Sequence, residues 1–264
     1  MIQIIDTLSH PTISGKWLDR DLNCSFESLS NQLKSSNFKK ALAVGISGKD
    51  DYSHEEFIQN CRKFSNLVPI AGFNPNKSLQ SIKNELKKIK ELGFVGIKIH
   101  PRFNEVENDC DLLSSVFNLA NDFNLVTMYC TYSHCASPKY PINDPFYKLA
   151  EALNKSIESK IILVHGGDVS LLKYAELARF NENILLDLSL TMMKYSGSSI
   201  DQDIQFLFNR FDRKITIGTD FPEYSHSEVY EKFLLLSSGV PKDKLENIAF
   251  KNIESFFKKI KVEL

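Results

Sequence analysis

Residues 4–10, IIDTLSH, begin as an apolar strand and leave it through an acid, two hydroxyls and a histidine. Strand side chains alternate between faces, so Asp6, Leu8 and His10 are expected to line one face. An apolar strand that ends in titratable groups is unusual once and informative when repeated. It recurs along the whole chain: KALAVGI at 40–46, LVPIAGF at 67–73, FVGIKIH at 94–100, LVTMYCT at 125–131, KIILVH at 160–165, NILLDLS at 183–189 and KITIGTD at 214–220. Most of these runs are apolar on both faces and rich in Ile, Val and Leu, as strands covered on two sides must be.

The segments between them carry helical periodicity: 25–36, 54–65, 81–92, 111–123, 144–157, 171–180, 203–211 and 228–239. Ser53 stands before the second and Pro145 in the first turn of the fifth, both favourable at helix starts. Regular alternation of strand and helix predicts an α/β fold, a closed (β/α)8 TIM barrel. The tail DKLENIAFKNIESFFKKI, 243–260, predicts an extra C-terminal helix, and residues 1–264 read as a single domain. An open doubly wound sheet is the alternative, weakened by the absence of GxGxxG after the first strand.

The composition sets outer limits. A net charge of -1 gives no electrostatic reason to expect nucleic acid or an acidic membrane surface as a partner. No apolar run approaches the roughly 20 residues that span a bilayer. Five cysteines (24, 61, 110, 130 and 135) form no CxxC pair, which points to reduced thiols and a cytoplasmic setting. Aromatic residues on the outer helices leave room for a homodimer.

A barrel carries its chemistry at the C-terminal ends of its strands. Those ends hold Asp6 and His10, Lys98 and His100, Tyr129 and Cys130, His165 followed by Gly166, Gly167 and Asp168, Asp187 and Ser189, and Asp220. His10, His100, His134 and His165, four of the six histidines, lie at or just after such ends. Singly, each has a structural reading: a hydrogen-bonded histidine, a loop-capping Asp187, a buried Cys130. Lys98 is costly inside a barrel without an acid beside it. The convergence of these groups on one rim is what predicts a site. Trp17 and Arg20, in the long first loop, are candidates for its lid or for surface packing. Gly45 and Gly96 mark close packing.

Together, IIDTLSHP, GFVGIKIHPRF, KIILVHGGD and KITIGTDFP resemble the amidohydrolase superfamily, within its group of decarboxylase- and lactonase-like barrels, and NIAFKNIESFF is similar to that group's closing helix. The resemblance implies a hydrolase acting on a small polar carbonyl compound or lactone. Asp220 matches the aspartate of the last strand, a general base for water, and His165 the sixth-strand histidine, a polarising group. His10 matches the second member of the first-strand pair, with Leu8 in place of the first. Cys130 stands near the position of a fifth-strand histidine. The group's divalent metal, usually zinc, then has His10, Cys130 and Asp220 as ligands, or is dispensed with as in metal-independent lactonases. Lys98, His100 and Asp187 are the expected substrate-binding residues. A decarboxylase or lyase acting on a carboxylated substrate, and a barrel that binds a ligand or partner protein without catalysis, fit the same residues. Cys130 and Cys135 flanking His134 form a weaker, thiol-based alternative.

Overall fold

The computed structural model describes residues 2–18, 20–49, 52–104, 106, 109–132 and 145–264. His134 and Cys135 lie outside them. Eight parallel strands follow one another around a single sheet. They are β1 (Ile4–Ser9), β2 (Phe38–Val44), β3 (Leu67–Phe73), β4 (Gly96–Ile99), β5 (Val126–Cys130), β6 (Ile161–Val164), β7 (Ile184–Asp187) and β8 (Ile215–Thr216). The sheet closes where β1 meets the chain beyond β8. Thr7 N donates to Ile217 O (3.0 Å), Asp220 N to Leu8 O (2.9 Å) and His10 N to Phe221 O (2.8 Å). The architecture is a (β/α)8 barrel, as the alternation predicted.

Helices α1 (Phe26–Lys34), α2 (His54–Cys61), α3 (Leu79–Glu91), α4 (Cys110–Asp122), α5 (Pro145–Asn154), α6 (Leu171–Arg179), α7 (Ile200–Arg210) and α8 (His226–Leu236) ring the sheet. Their starts are chemically specified. Ser25, Ser53, Ser78, Asp109 and Ser225 each accept a hydrogen bond from an orphan backbone N–H in the first turn. None of the described helices is long and apolar enough to cross a membrane.

Two cores result. The larger lies between sheet and helices and contains Phe57, Phe94, Phe117, Phe208 and Phe233. The smaller fills the barrel: Ile5, Leu8, Leu42, Val44, Ile70, Val126, Met128, Ile162, Val164 and Leu185 meet Ile253, Phe256, Phe257 and Ile260 of the tail. The tail runs as α9 (Lys242–Glu246), a π-helical turn (Asn247–Lys251) and α10 (Asn252–Lys258). Its aromatic face therefore closes the apolar end of the barrel, while the opposite end is left to polar groups. Gly45 and Gly96 do mark close packing. A Cβ on the first would lie 2.1 Å from the Tyr52 ring, and one on the second 2.6 Å from Val126 O.

Candidate active site at the barrel mouth

On β1 the simple alternation fails. Asp6 is in register with Ala41 and Ser9 with Ala43, so three steps on β1 match two on β2. This bulge places Leu8 in the barrel core and His10 at its mouth, and sends Asp6 to the outside. Asp6 is therefore not a rim residue. Its carboxylate is fully buried and accepts from Leu8 N (3.0 Å), Ser9 Oγ (2.6 Å), Thr219 N (2.9 Å) and Thr219 Oγ1 (2.6 Å). His226 Nε2, on α8, stands 3.0 Å from it. Asp6 thus fastens the bulge to the residue preceding Asp220.

Tyr129 also leaves the expected rim. It faces outward, edge-on to Phe117 of α4 at 6.1 Å between ring centroids. The remaining rim residues do come together. Lys98 lies within electrostatic reach of Cys130, Asp220 and Asp187, and in turn bears on His10, His100 and His165. All are buried. His165 (φ 67) and Asp220 (φ 55) hold left-handed backbone that side-chain-bearing residues seldom adopt. Such strain persists only where the surroundings enforce it, and it collects at functional sites.

Asp220 sits 3.5 Å from His10 Nε2. Burial, opposed by the Lys98 charge and reinforced by Asp187, pushes its carboxyl up to about 7. Burial likewise raises Asp187 to about 6, although its oxygens accept from Thr7 Oγ1 (2.9 Å), Ser189 N (3.1 Å) and Ser189 Oγ. Asp187 therefore organises the loop beneath His165 and offers little to a substrate. Gly218 makes room for it, since a Cβ there would lie 2.8 Å from Asp187 Oδ1.

The three histidines are neutral for a common reason. Burial, then the Lys98 charge, lowers His10 to about 3 and holds His100 and His165 well below the usual imidazole range. Their tautomers differ. His10 Nδ1 lies 2.9 Å from Val44 O and His165 Nδ1 3.0 Å from Ser189 O. A carbonyl only accepts, so both Nδ1 atoms carry the proton and both Nε2 atoms present a lone pair. His100 is the reverse: its Nδ1 accepts from Phe103 N (3.3 Å), which leaves the proton on Nε2. A neutral imidazole that donates is therefore supplied by His100. The polarising role implied for His165 calls for a donor at Nε2, where its neutral form presents a lone pair, whereas the Nε2 of His100 carries a proton.

Sequence reasoning offered Trp17 and Arg20 as lid candidates but missed Glu223, Arg102 and Lys194. Trp17 stacks on His10, with centroids 5.6 Å apart and planes 17° from parallel, and donates to Glu223 Oε1 (2.8 Å). Arg20 pairs with the other Glu223 oxygen, so the ribbon Lys16–Trp17 with Arg20–Asn23 forms a lid over His10. Arg102 stands 4.9 Å and Lys194 4.4 Å from the Tyr132 ring centroid, so both cations gather at one ring on the rim. The position of Arg102, two residues after His100 in KIHPRF, was the only signal for it.

A divalent metal on His10, Cys130 and Asp220 does not fit these residues. Among the described residues, the only three ligand-type atoms within 4.8 Å of one another belong to Asp109, Cys110 and Asp111, outside the barrel at the start of α4. At the mouth, burial raises the Cys130 thiol, Leu8 offers only carbon, and Lys98, whose own pKa burial lowers, lies within electrostatic reach of Cys130 and Asp220.

No protein-family profile matches the chain, and no curated protein sequence does. Solved structures do. An uncharacterized TIM-barrel protein from Bordetella bronchiseptica superposes with a TM-score of 0.80 at 16% identity, covering 99% of this chain and 100% of that one. A probable 2-pyrone-4,6-dicarboxylic acid hydrolase from Acinetobacter baumannii, with citric acid bound, gives 0.69 at 17% identity over 97% and 100%. A 5-carboxyvanillate decarboxylase from Novosphingobium aromaticivorans, with manganese and 3-methoxy-4-hydroxy-5-nitrobenzoic acid bound, gives 0.67 at 11% identity over 97% of each chain. The chain shares the barrel fold of amidohydrolase-type enzymes that include a hydrolase and a decarboxylase.

Proposed function

We propose that the barrel mouth is the active site of an amidohydrolase-like hydrolase that opens a small carboxylated lactone or a related carbonyl compound. The observation that carries this reading is a carboxyl, Asp220, raised by burial to about 7, 3.5 Å from His10 Nε2 and within electrostatic reach of the buried Lys98, at the mouth of an otherwise apolar barrel. A base whose pKa lies near the working pH is efficient at proton transfer. Asp220 takes a proton from water as its oxygen attacks the carbonyl carbon. The carbonyl electron pair moves to oxygen, where Lys98 Nζ and His100 Nε2–H meet the developing charge. Collapse of the tetrahedral intermediate expels the ring alkoxide, which recovers the proton from Asp220. His165 Nε2 and His10 Nε2 accept hydrogen bonds and so orient the water or a substrate hydroxyl. The carboxylated substrate class is supported by Arg102 and Lys194, exposed cations gathered at Tyr132 on the rim. The citrate-bound hydrolase of the same fold is an analogy only.

The half-protonated state of Asp220 near neutrality also favours a second reading, decarboxylation, in which the same group delivers a proton to carbon after CO2 departs. Both readings are tested by a panel of carboxylated lactones and aromatic or heterocyclic carboxylic acids, followed by ring opening and CO2 release. Asp220→Asn is expected to lower turnover by roughly 10²–10⁴-fold while preserving the fold. Turnover unchanged by that substitution would remove Asp220 from the chemistry. A wild-type protein silent on the whole panel, whose partner binds equally well to the variant, points to a barrel without catalysis.

A further inference from the structure

Beyond β6 the chain turns left-handed for four residues, His165 to Asp168, with φ of 67, 58, 86 and 59°. Glycine takes such angles freely, but His165 keeps them only because something holds it there. What holds it lies beyond β7. Thr191 Oγ1 donates to His165 O at 2.7 Å, and His165 Nδ1 lies 3.0 Å from Ser189 O and 3.1 Å from Ser189 Oγ. Backbone and ring of one histidine are thus gripped by two residues, both fully buried. Between them Leu190 (φ 60, ψ -57) closes a three-residue turn in which Thr191 N donates to Ser189 O at 2.6 Å. This is the rarer, strained form of the γ-turn. Two strained stretches of backbone therefore hold each other in place.

We infer that the turn Ser189–Leu190–Thr191 is the positioning clasp of His165, which keeps its ring proton on Nδ1 and makes Nε2 a hydrogen-bond acceptor of the barrel mouth. The proton of Ser189 Oγ is given to Asp187 Oδ2. Both oxygens in front of Nδ1 are therefore acceptors, the carbonyl always and the hydroxyl because its proton is committed. Which ring nitrogen carries the proton follows from the bond the other one makes. Thr191 adds the second half of the grip by tying down the backbone of His165, so that the ring cannot swing away from Ser189. Ser189 and Thr191 act through His165 and are positioning residues. The inference rests on the reading of the mouth as an active site, but the place of the proton is measurable without a substrate.

The test reads the histidine tautomers directly. Wild type, Thr191→Val and Thr191→Ser are labelled with 15N at histidine and compared by long-range 1H–15N correlation at neutral pH. His165→Asn identifies the signal, and circular dichroism confirms the fold. Valine keeps the shape of threonine and removes the hydroxyl, whereas serine keeps the hydroxyl. Wild type and Thr191→Ser are expected to show the Nδ1–H tautomer alone, and Thr191→Val a mixture of the two. On any substrate that is turned over, Thr191→Val is expected to lower kcat about tenfold or more with KM little changed, and Thr191→Ser to restore it. A wild-type His165 with its proton on Nε2, or with a mixture, overturns the inference. So does a folded Thr191→Val with an unchanged tautomer, a Thr191→Ser that behaves like it, or a tautomer shift that leaves kcat untouched. A protein without turnover on the panel counts against the hydrolytic reading alone, and the spectra then decide the clasp. If Thr191→Val does not fold, Thr191→Ala takes its place under the same criteria.

Discussion

Asp220 sets the pH behaviour of this protein. Its carboxyl belongs near 3.8 in an unfolded chain and is pushed up to about 7 by burial in the folded one. In the hydrolytic reading only the ionised form accepts a proton from water. kcat/KM should therefore rise roughly tenfold per pH unit below neutrality and level off above about 7. Stability has the opposite sign. Between about 4 and about 7 the folded protein holds a proton that the unfolded chain has released, so this group's contribution is full at low pH and falls as pH rises. Asp220→Asn should flatten that arm, so the variant gains stability relative to wild type on going from pH 5 to pH 8. Melting temperatures of both proteins at the two values check it, and a difference that stays constant counts against the raised pKa. Asp6 is the structural counterpart. Replacing it with alanine strips partners from Leu8 N, Thr219 N and two buried hydroxyls, and should cost about 3–5 kcal/mol in urea denaturation.

Among the elements, the ribbon over His10 is the one with a reporter built in. The chain has a single tryptophan, and it forms the underside of that lid. Glu223 anchors the ribbon twice, through the indole N–H and the Arg20 guanidinium. Glu223→Ala should shift tryptophan emission to the red as Trp17 gains water contact, and should raise KM several-fold with a smaller change in kcat. An unchanged spectrum means the stacking on His10 alone suffices to hold the lid. The sequence offered Trp17 and Arg20 as lid candidates, but neither the ribbon nor its anchor could be read from it. Strands of two and four residues show no period to detect, and the link to Glu223 spans 206 positions. The barrel strands were legible because most are apolar on both faces, and the helices because their apolar residues recur with helical period, two of them with Ser53 or Pro145 at the start.

In the whole molecule, the two barrel ends have different tasks. The tail packs Ile253, Phe256, Phe257 and Ile260 under the interior core, and the mouth at the other end holds the titratable groups. Truncating a fully buried phenylalanine in such a plug removes packing that the surroundings only partly recover. Phe257→Ala should destabilise the fold by about 3–5 kcal/mol. Its kcat/KM at low temperature should stay near that of wild type, because the mouth is built from the opposite strand ends. A selective loss of activity in folded Phe257→Ala would mean that the plug also sets the geometry of the rim.

The order of strands and helices, and the recurrence of polar groups at strand ends, followed from the sequence alone, because both depend on local periodicity and on the barrel's known polarity. His10, Lys98, His100, His165 and Asp220 were identifiable for that reason. What the sequence left open was which side each group faces and what it bonds. One extra residue on β1 turns Asp6 out of the barrel, and alternation cannot reveal a bulge whose partners, Ala41 and Thr219, lie far along the chain. The tautomers of His10, His100 and His165 depend on backbone atoms of Val44, Phe103 and Ser189, which only the folded chain brings within hydrogen-bonding distance. Proximity in sequence decides helices and strands. Proton positions and charge pairing are decided across the barrel, where distance along the chain carries no information.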